Sequence, residues 1–142
     1  MESALLGLVL DSSVLIAAER RKLTASQAIE SVLKAAGEIP IVLCALSVAE
    51  IGHGIYRAIT PEIRARRRAF LDELKSTVPV YPVTAATAEI VARIGGEQAA
   101  KGLSLPLGDL IIGACALELG YAVGTGNVRG FIRIPGLTLV RL

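Results

Sequence analysis

The chain has 142 residues, 53% of them hydrophobic, with 15 Lys and Arg against 13 Asp and Glu and a formal net charge of +2 at pH 7. That length suits one domain, residues 1–142, whose core is large enough to fold without disulfides or a structural metal, and the slight basic excess permits a polyanionic partner without demanding one. The best apolar run, IPIVLCALSVA from Ile39 to Ala49, falls well short of the ~20 residues a membrane-spanning helix needs, and no basic leader precedes the N-terminal run, so a cytoplasmic protein is expected.

In chain order, GLVL reads as a buried strand that ends at Asp11, with Ser12 or Ser13 placed to cap the helix that follows. Thr24 and Gln27 match a capping box, and Gly37 stops that second helix. IPIVLC up to Cys44 is the second strand. Ser47 and Glu50 match another capping box, which puts Glu50 in the first turn of the next helix. Thr60-Pro61 opens a helix carrying RARRR, Arg64 to Arg68, read as a solvated face with Arg68 above Asp72 at i, i+4. VPVYPV around Tyr81 is a third strand, Thr84 caps the next helix, and Gly102 stops it. A further helix lies in LPLGDLIIGACA and ends near Gly120; YAVGT up to Thr125 and LTLV complete the strands. Strands alternating with helices predict an α/β domain around a parallel sheet. Cys44 and Cys115 sit among aliphatic residues without metal-ligand spacing and read as reduced core residues.

Asp11 is a lone charge in the apolar stretch GLVLDSSVLIA, and Asp109 is equally isolated among Leu107, Leu110, Ile111 and Ile112. A buried carboxylate without a partner costs several kcal/mol or takes up a proton, so each needs an account. Taken singly, Asp11 can cap a helix, Glu50 can complete its capping box, and Asp109 can favour a helix N-terminus through the dipole. Taken together, all three fall near the carboxyl ends of strands, where open α/β sheets bind ligands, as do Thr125 and Asn127 after the strand YAVGT. Three acids aimed at one place repel one another unless something positive lies between them. No basic residue stands beside Asp11 or Asp109 in sequence. A divalent cation is the economical counter-charge, and oxygen ligands select a hard ion, Mg²⁺ or Mn²⁺, that shares its shell with water and phosphate. Phosphodiester hydrolysis by a metal-activated water follows. His53, one turn beyond Glu50, reads as a hydrogen-bonding or substrate-contacting residue rather than a ligand.

The marks VLDSSVLIA, LSVAEIGHGI, GLSLPLGDLIIGACALELGY and GTGNVRGFIRIPGL, in this order and spacing, resemble the PIN-domain family, and within it the VapC toxins of toxin–antitoxin pairs. The resemblance implies a single PIN-like domain with a central parallel sheet of about five strands and helices on both faces. It implies Asp11, Glu50 and Asp109 as catalytic metal ligands, with Ser13, Thr125 and Asn127 supporting the site or the substrate. It also implies a Mg²⁺- or Mn²⁺-dependent endoribonuclease toxin, an RNA substrate, a VapB-like antitoxin and a homodimer. Where the family pattern commonly has a fourth acid, this chain has Gly130. That departure supports an alternative, a catalytically weak or inactive PIN-fold module that binds RNA or antitoxin. An aspartyl-phosphate phosphatase would need a second acid two positions after Asp11, where Ser13 stands.

Overall fold

The computed structural model describes residues 5–142, so the first four residues of the expected single domain lie outside it. Strand β1 (Leu8–Leu10) is followed by helices α1 (Ser12–Arg20) and α2 (Ala25–Ala36), then β2 (Ile41–Cys44), α3 (Ala45–Tyr56) and α4 (Pro61–Thr77). Next come β3 (Val80–Tyr81), α5 (Ala85–Ala100), α6 (Leu107–Leu119) and β4 (Ala122–Thr125). A 3₁₀ turn at Val128–Gly130 leads to β5 (Leu139–Arg141). The five strands form one sheet in the order β3-β2-β1-β4-β5, and every pairing is parallel.

The two faces of the sheet alternate residue by residue, as the two-residue period of a strand requires. Leu8, Leu10, Leu43 and Ala122 pack with residues of α1, α2, α3 and α4. Val9, Cys44 and Val123 pack on the other side with residues of α5 and α6 and with Phe131 and Ile134. Leu8, Val9 and Leu10 have no exposed surface at all, which is why β1 reads as a continuous apolar run rather than an alternating one. Helix α6 is buried from Ile112 through Ala116; an all-round apolar helix is a core helix. Among the described residues no helix is long and apolar enough to cross a membrane.

Most expected helix signals hold. Thr24 and Gln27 form a reciprocal capping box, Thr60 accepts from Ile63 N–H ahead of Pro61, and Thr84 accepts from Thr87 N–H. Gly37, Gly102 and Gly120 all take positive φ at or just past helix ends, a backbone conformation glycine adopts without strain. Arg68 pairs with Asp72 at 3.6 Å. Cys44 and Cys115 are buried free thiols with their sulfurs 3.2 Å apart. A hydrogen bond from Cys115 lowers Cys44 to about 7, while Cys115 itself is pushed upward.

Two signals do not hold: no side chain caps α1, neither Ser12 nor Ser13 nor Asp11, and the motif at the start of α3 fails as well. Ser47 and Glu50 form no capping box, because β2 runs straight into α3 with Cys44 as the residue before the helix. The helix therefore starts earlier than the motif implies, Glu50 falls in its second turn, and Ser47 Oγ is buried with no hydrogen-bond partner.

Candidate active site

Asp11 continues the ladder of β1, its N–H donating to Gly124 O at 2.9 Å, and this fixes its Cα at the carboxyl edge of the sheet. It precedes α1 with extended backbone, φ −71° and ψ 141°, but its side chain makes no capping bond. The carboxylate instead accepts from Ser13 Oγ at 2.7 Å and from Thr125 Oγ1 at 2.8 Å, both at Oδ2. Asp11 is only 6% exposed and Thr125 wholly buried, so the Thr125 bond is made away from water, to a charge, where it is strongest. Asn127 N–H in turn donates to Thr125 Oγ1 at 2.8 Å. The strand β4 and the turn after it thus form a relay of donors ending on one oxygen of Asp11.

Ser12 does not cap α1 either. Its hydroxyl donates to Glu50 Oε1 at 3.0 Å, tying the start of α1 to the second turn of α3. Sequence reasoning missed this link; two serines in succession at a helix start look like alternative caps, and only the fold separates them into one partner for Asp11 and one for Glu50. His53 lies on the exposed side of α3.

Asp109 comes in the first turn of α6, whose start at Pro106 has no side-chain cap. It is half-buried, and its carboxyl is held above the usual carboxylate range, first by burial and then by the charges of Asp11 and Glu50. A β-carbon placed on Gly108 would sit 3.7 Å from Glu50 Oε2, so the start of α6 lies against α3 at Glu50. A β-carbon on Gly130 would run into Asp109 Oδ2 and come within 3.5 Å of Asn127 Nδ2. The place where an acid is common in the family pattern is therefore filled here by the Asp109 carboxylate itself.

Asp109 thus lies in the field of Asp11 and Glu50, with Ser13 and Thr125 bonded to Asp11 and Asn127 tied by its N–H to Thr125. Among the described residues none of the three acids is in an ion pair. Nor, among those residues, is any group of three or more His, Cys, Asp or Glu side chains gathered to ligating distance. Mutual repulsion favours spread carboxylates, and Ser12, Ser13 and Thr125 hold two of them by hydrogen bonds. The donor set fits a hard divalent cation: oxygen only, like in charge, and without a cationic side chain in contact.

A family model described as PIN domain matches residues 8–137. The chain is 31% identical over 135 residues to Ribonuclease VapC1 of Rickettsia felis, across 95% of this chain and 96% of that protein. It resembles the crystal structure of VapBC-5 from Mycobacterium tuberculosis, a member of the VapBC family of toxin–antitoxin systems, with a TM-score of 0.73 and 27% identity over 96% of this chain and 99% of that one. The crystal structure of VapBC2 from Rickettsia felis bound to a DNA fragment from its promoter shares the fold with a TM-score of 0.80 at 20% identity, over 95% of this chain and 98% of that one.

Proposed function

The chain belongs to the PIN-domain family, and from that membership we propose that it is a metal-dependent endoribonuclease, the toxin of a VapBC-type toxin–antitoxin pair, with Asp11, Glu50 and Asp109 as its working acids. The observation that carries this reading is that three acids from separate elements converge: Ser12, beside Asp11, bonds Glu50, the start of α6 at Gly108 lies against Glu50, and the Asp109 carboxyl is raised first by burial and then by Asp11 and Glu50. Carboxylates brought within one another's field without an ion pair cost stability, and a catalytic site is where such a cost is retained.

Each side chain has a defined task. Asp11, held on one oxygen by Ser13 and Thr125, would offer its other oxygen to the ion. Ser12 sets the rotamer of Glu50 in the same way. Asp109 supplies the third carboxylate from α6, in the space that Gly130 leaves. Asn127, exposed at the turn after β4, offers its side-chain amide to a substrate phosphate oxygen. Mg²⁺ or Mn²⁺ bound among the acids would supply the Lewis acidity that activates water and balances charge on the phosphate. The partners in this reading are RNA, a VapB-like antitoxin and a second copy of the chain; exposed Tyr56, Ile59 and Ile132 are the kind of apolar surface that protein partners cover.

The test is cleavage of a mixed RNA by purified, antitoxin-free protein in Mn²⁺, Mg²⁺ or EDTA, beside Asp11→Asn. Metal-dependent cutting that the substitution abolishes is the expected result. Gly130 supports the second reading, a non-catalytic module of the same fold; RNA binding without cutting in any metal, equal in wild type and Asp11→Asn, would favour that module.

A further inference from the structure

The arginines around α1, α3 and α4 differ in what they touch. Arg66 Nε lies 3.0 Å from Glu19, a nearly buried acid, and Arg67 lies 3.7 Å from the same carboxylate while donating to Gly54 O at 2.7 Å. Arg68 donates to the Tyr56 hydroxyl, lies over that ring at 5.8 Å, and pairs with Asp72. These three are engaged by partners within the chain. Arg20, in the last turn of α1, and Arg57, which ends α3, are exposed and have no ion-pair partner among the described residues.

Arg20 and Arg57 flank one cleft of about 190 Å³ between α1, α3 and α4, which Glu50, His53, Glu19 and Arg67 also line. Glu50, His53 and Arg57 fall at i, i+3 and i+7, on one stripe of α3. The cleft therefore starts at a proposed working acid and ends, about 10 Å along the helix axis at 1.5 Å per residue, at a free guanidinium. Glu19 is offset by Arg66 and Arg67, so the charge the cleft presents beyond Glu50 is positive. Its volume suits a sugar–phosphate unit better than the flank of a helix, which is about 10 Å across.

Resting on the ribonuclease reading above, we propose that this cleft is a phosphate subsite for single-stranded RNA. Arg20 and Arg57 contact backbone phosphates next to the scissile bond, within the ~10 Å that separates Arg57 from Glu50 along α3. His53 donates to the strand between them and Glu50. Arg67, pinned by Gly54 O and Glu19, forms the fixed positive floor. A purely structural role for Arg20 and Arg57, as cations at helix C-termini, would show in stability and not in RNA affinity.

The test is the anisotropy of a labelled single-stranded RNA titrated with protein in EDTA, where nothing is cut, at several KCl concentrations. The proteins are wild type, the double variant Arg20→Ala with Arg57→Ala, the double variant Arg20→Lys with Arg57→Lys, and Arg93→Ala as a charge control on α5. The alanine pair is expected to bind about tenfold more weakly at 0.1 M salt and to lower the slope of log K against log salt by about 1.4, two phosphates at about 0.7 each. The lysine pair keeps the slope, and so does Arg93→Ala. An unchanged slope in the alanine pair overturns the proposal. So does an unchanged RNA slope in that pair accompanied by lost binding of a polyglutamate peptide, which would assign the cleft to an acidic protein partner. If wild type cleaves RNA in Mn²⁺ but the slope is unchanged, only the cleft assignment fails; if wild type neither binds nor cleaves RNA, the ribonuclease reading fails with it.

Discussion

Replacing Thr125 with Val removes one hydroxyl from the centre of the site and almost nothing else, because the two side chains have nearly the same shape. Thr125 is wholly buried, donates to Asp11 Oδ2 at 2.8 Å, and accepts from Asn127 N–H. A buried hydrogen bond to a charged group contributes about 1.5–3 kcal/mol, and the Asn127 N–H, next to exposed residues, can turn to water at little cost. The expected loss is therefore about 2 kcal/mol at pH 7 in EDTA. For 142 residues at about 2.1 cal/mol/K of unfolding entropy each, that lowers Tm by roughly 7 °C. Ser13→Ala removes the other donor to the same oxygen, but from a half-buried position where water replaces it, and about 1 kcal/mol, roughly 3 °C, is expected. Thermal melts followed by circular dichroism read both, and RNA cleavage in Mn²⁺ should fall at least tenfold in Thr125→Val as Asp11 loses its orientation. A Tm for Thr125→Val within 1 °C of wild type, or a larger loss for Ser13→Ala, would refute the placement of Asp11 in a donor-lined, water-poor corner.

Three further outcomes follow from the same geometry. The Asp109 carboxyl is raised in the folded protein by burial and then by Asp11 and Glu50, so its stabilising share is present below the unfolded carboxylate pKa and is lost as pH rises through the folded value. Asp109→Asn, neutral throughout, should therefore melt higher than wild type at pH 7 in EDTA and lose that advantage near about pH 3, where both side chains are neutral; an equal advantage at both pH values would contradict the repulsion. Gly130→Ala needs no backbone strain, since Gly130 does not have positive φ, but its β-carbon would collide with Asp109 Oδ2. Tm should change little while Mn²⁺ affinity by calorimetry drops about tenfold, and unchanged affinity would show that Asp109 is not a ligand. Ser47→Ala removes a buried hydroxyl without a partner and should raise stability by about 1 kcal/mol, read as a higher midpoint in urea.

The sheet was legible because strands buried on both faces leave continuous apolar runs, and because the alternation with helices admits few arrangements other than a parallel sheet. Leu8 to Leu10, Ile41 to Cys44 and Ala122 to Thr125 all fall inside runs read as strands. Asp11 and Asp109 stood out as charges in apolar runs without a local partner, and Glu50 by its place after the second strand. What sequence could not convey was contact between distant segments. Ser12 reaches Glu50 across 38 residues and Thr125 reaches Asp11 across 114, and no local pattern marks either. The Ser47 and Glu50 motif misled for a related reason: a capping box presumes a loop before the helix, and here the strand leads directly into it. Gly130 was visible as a departure from a pattern, but only the structure shows that its missing side chain makes room for Asp109.

The claim on which the account rests is that Asp11, Glu50 and Asp109 jointly hold a divalent cation. Isothermal calorimetry of Mn²⁺ into wild type and into Asp109→Asn, at matched pH after EDTA removal, tests it without reliance on any RNA substrate. The account predicts saturable heat with wild type and at least a tenfold weaker isotherm with the variant, accompanied by a Mn²⁺-dependent rise in Tm for wild type alone. Equal isotherms for the two proteins, or no heat with wild type at millimolar Mn²⁺, would contradict it.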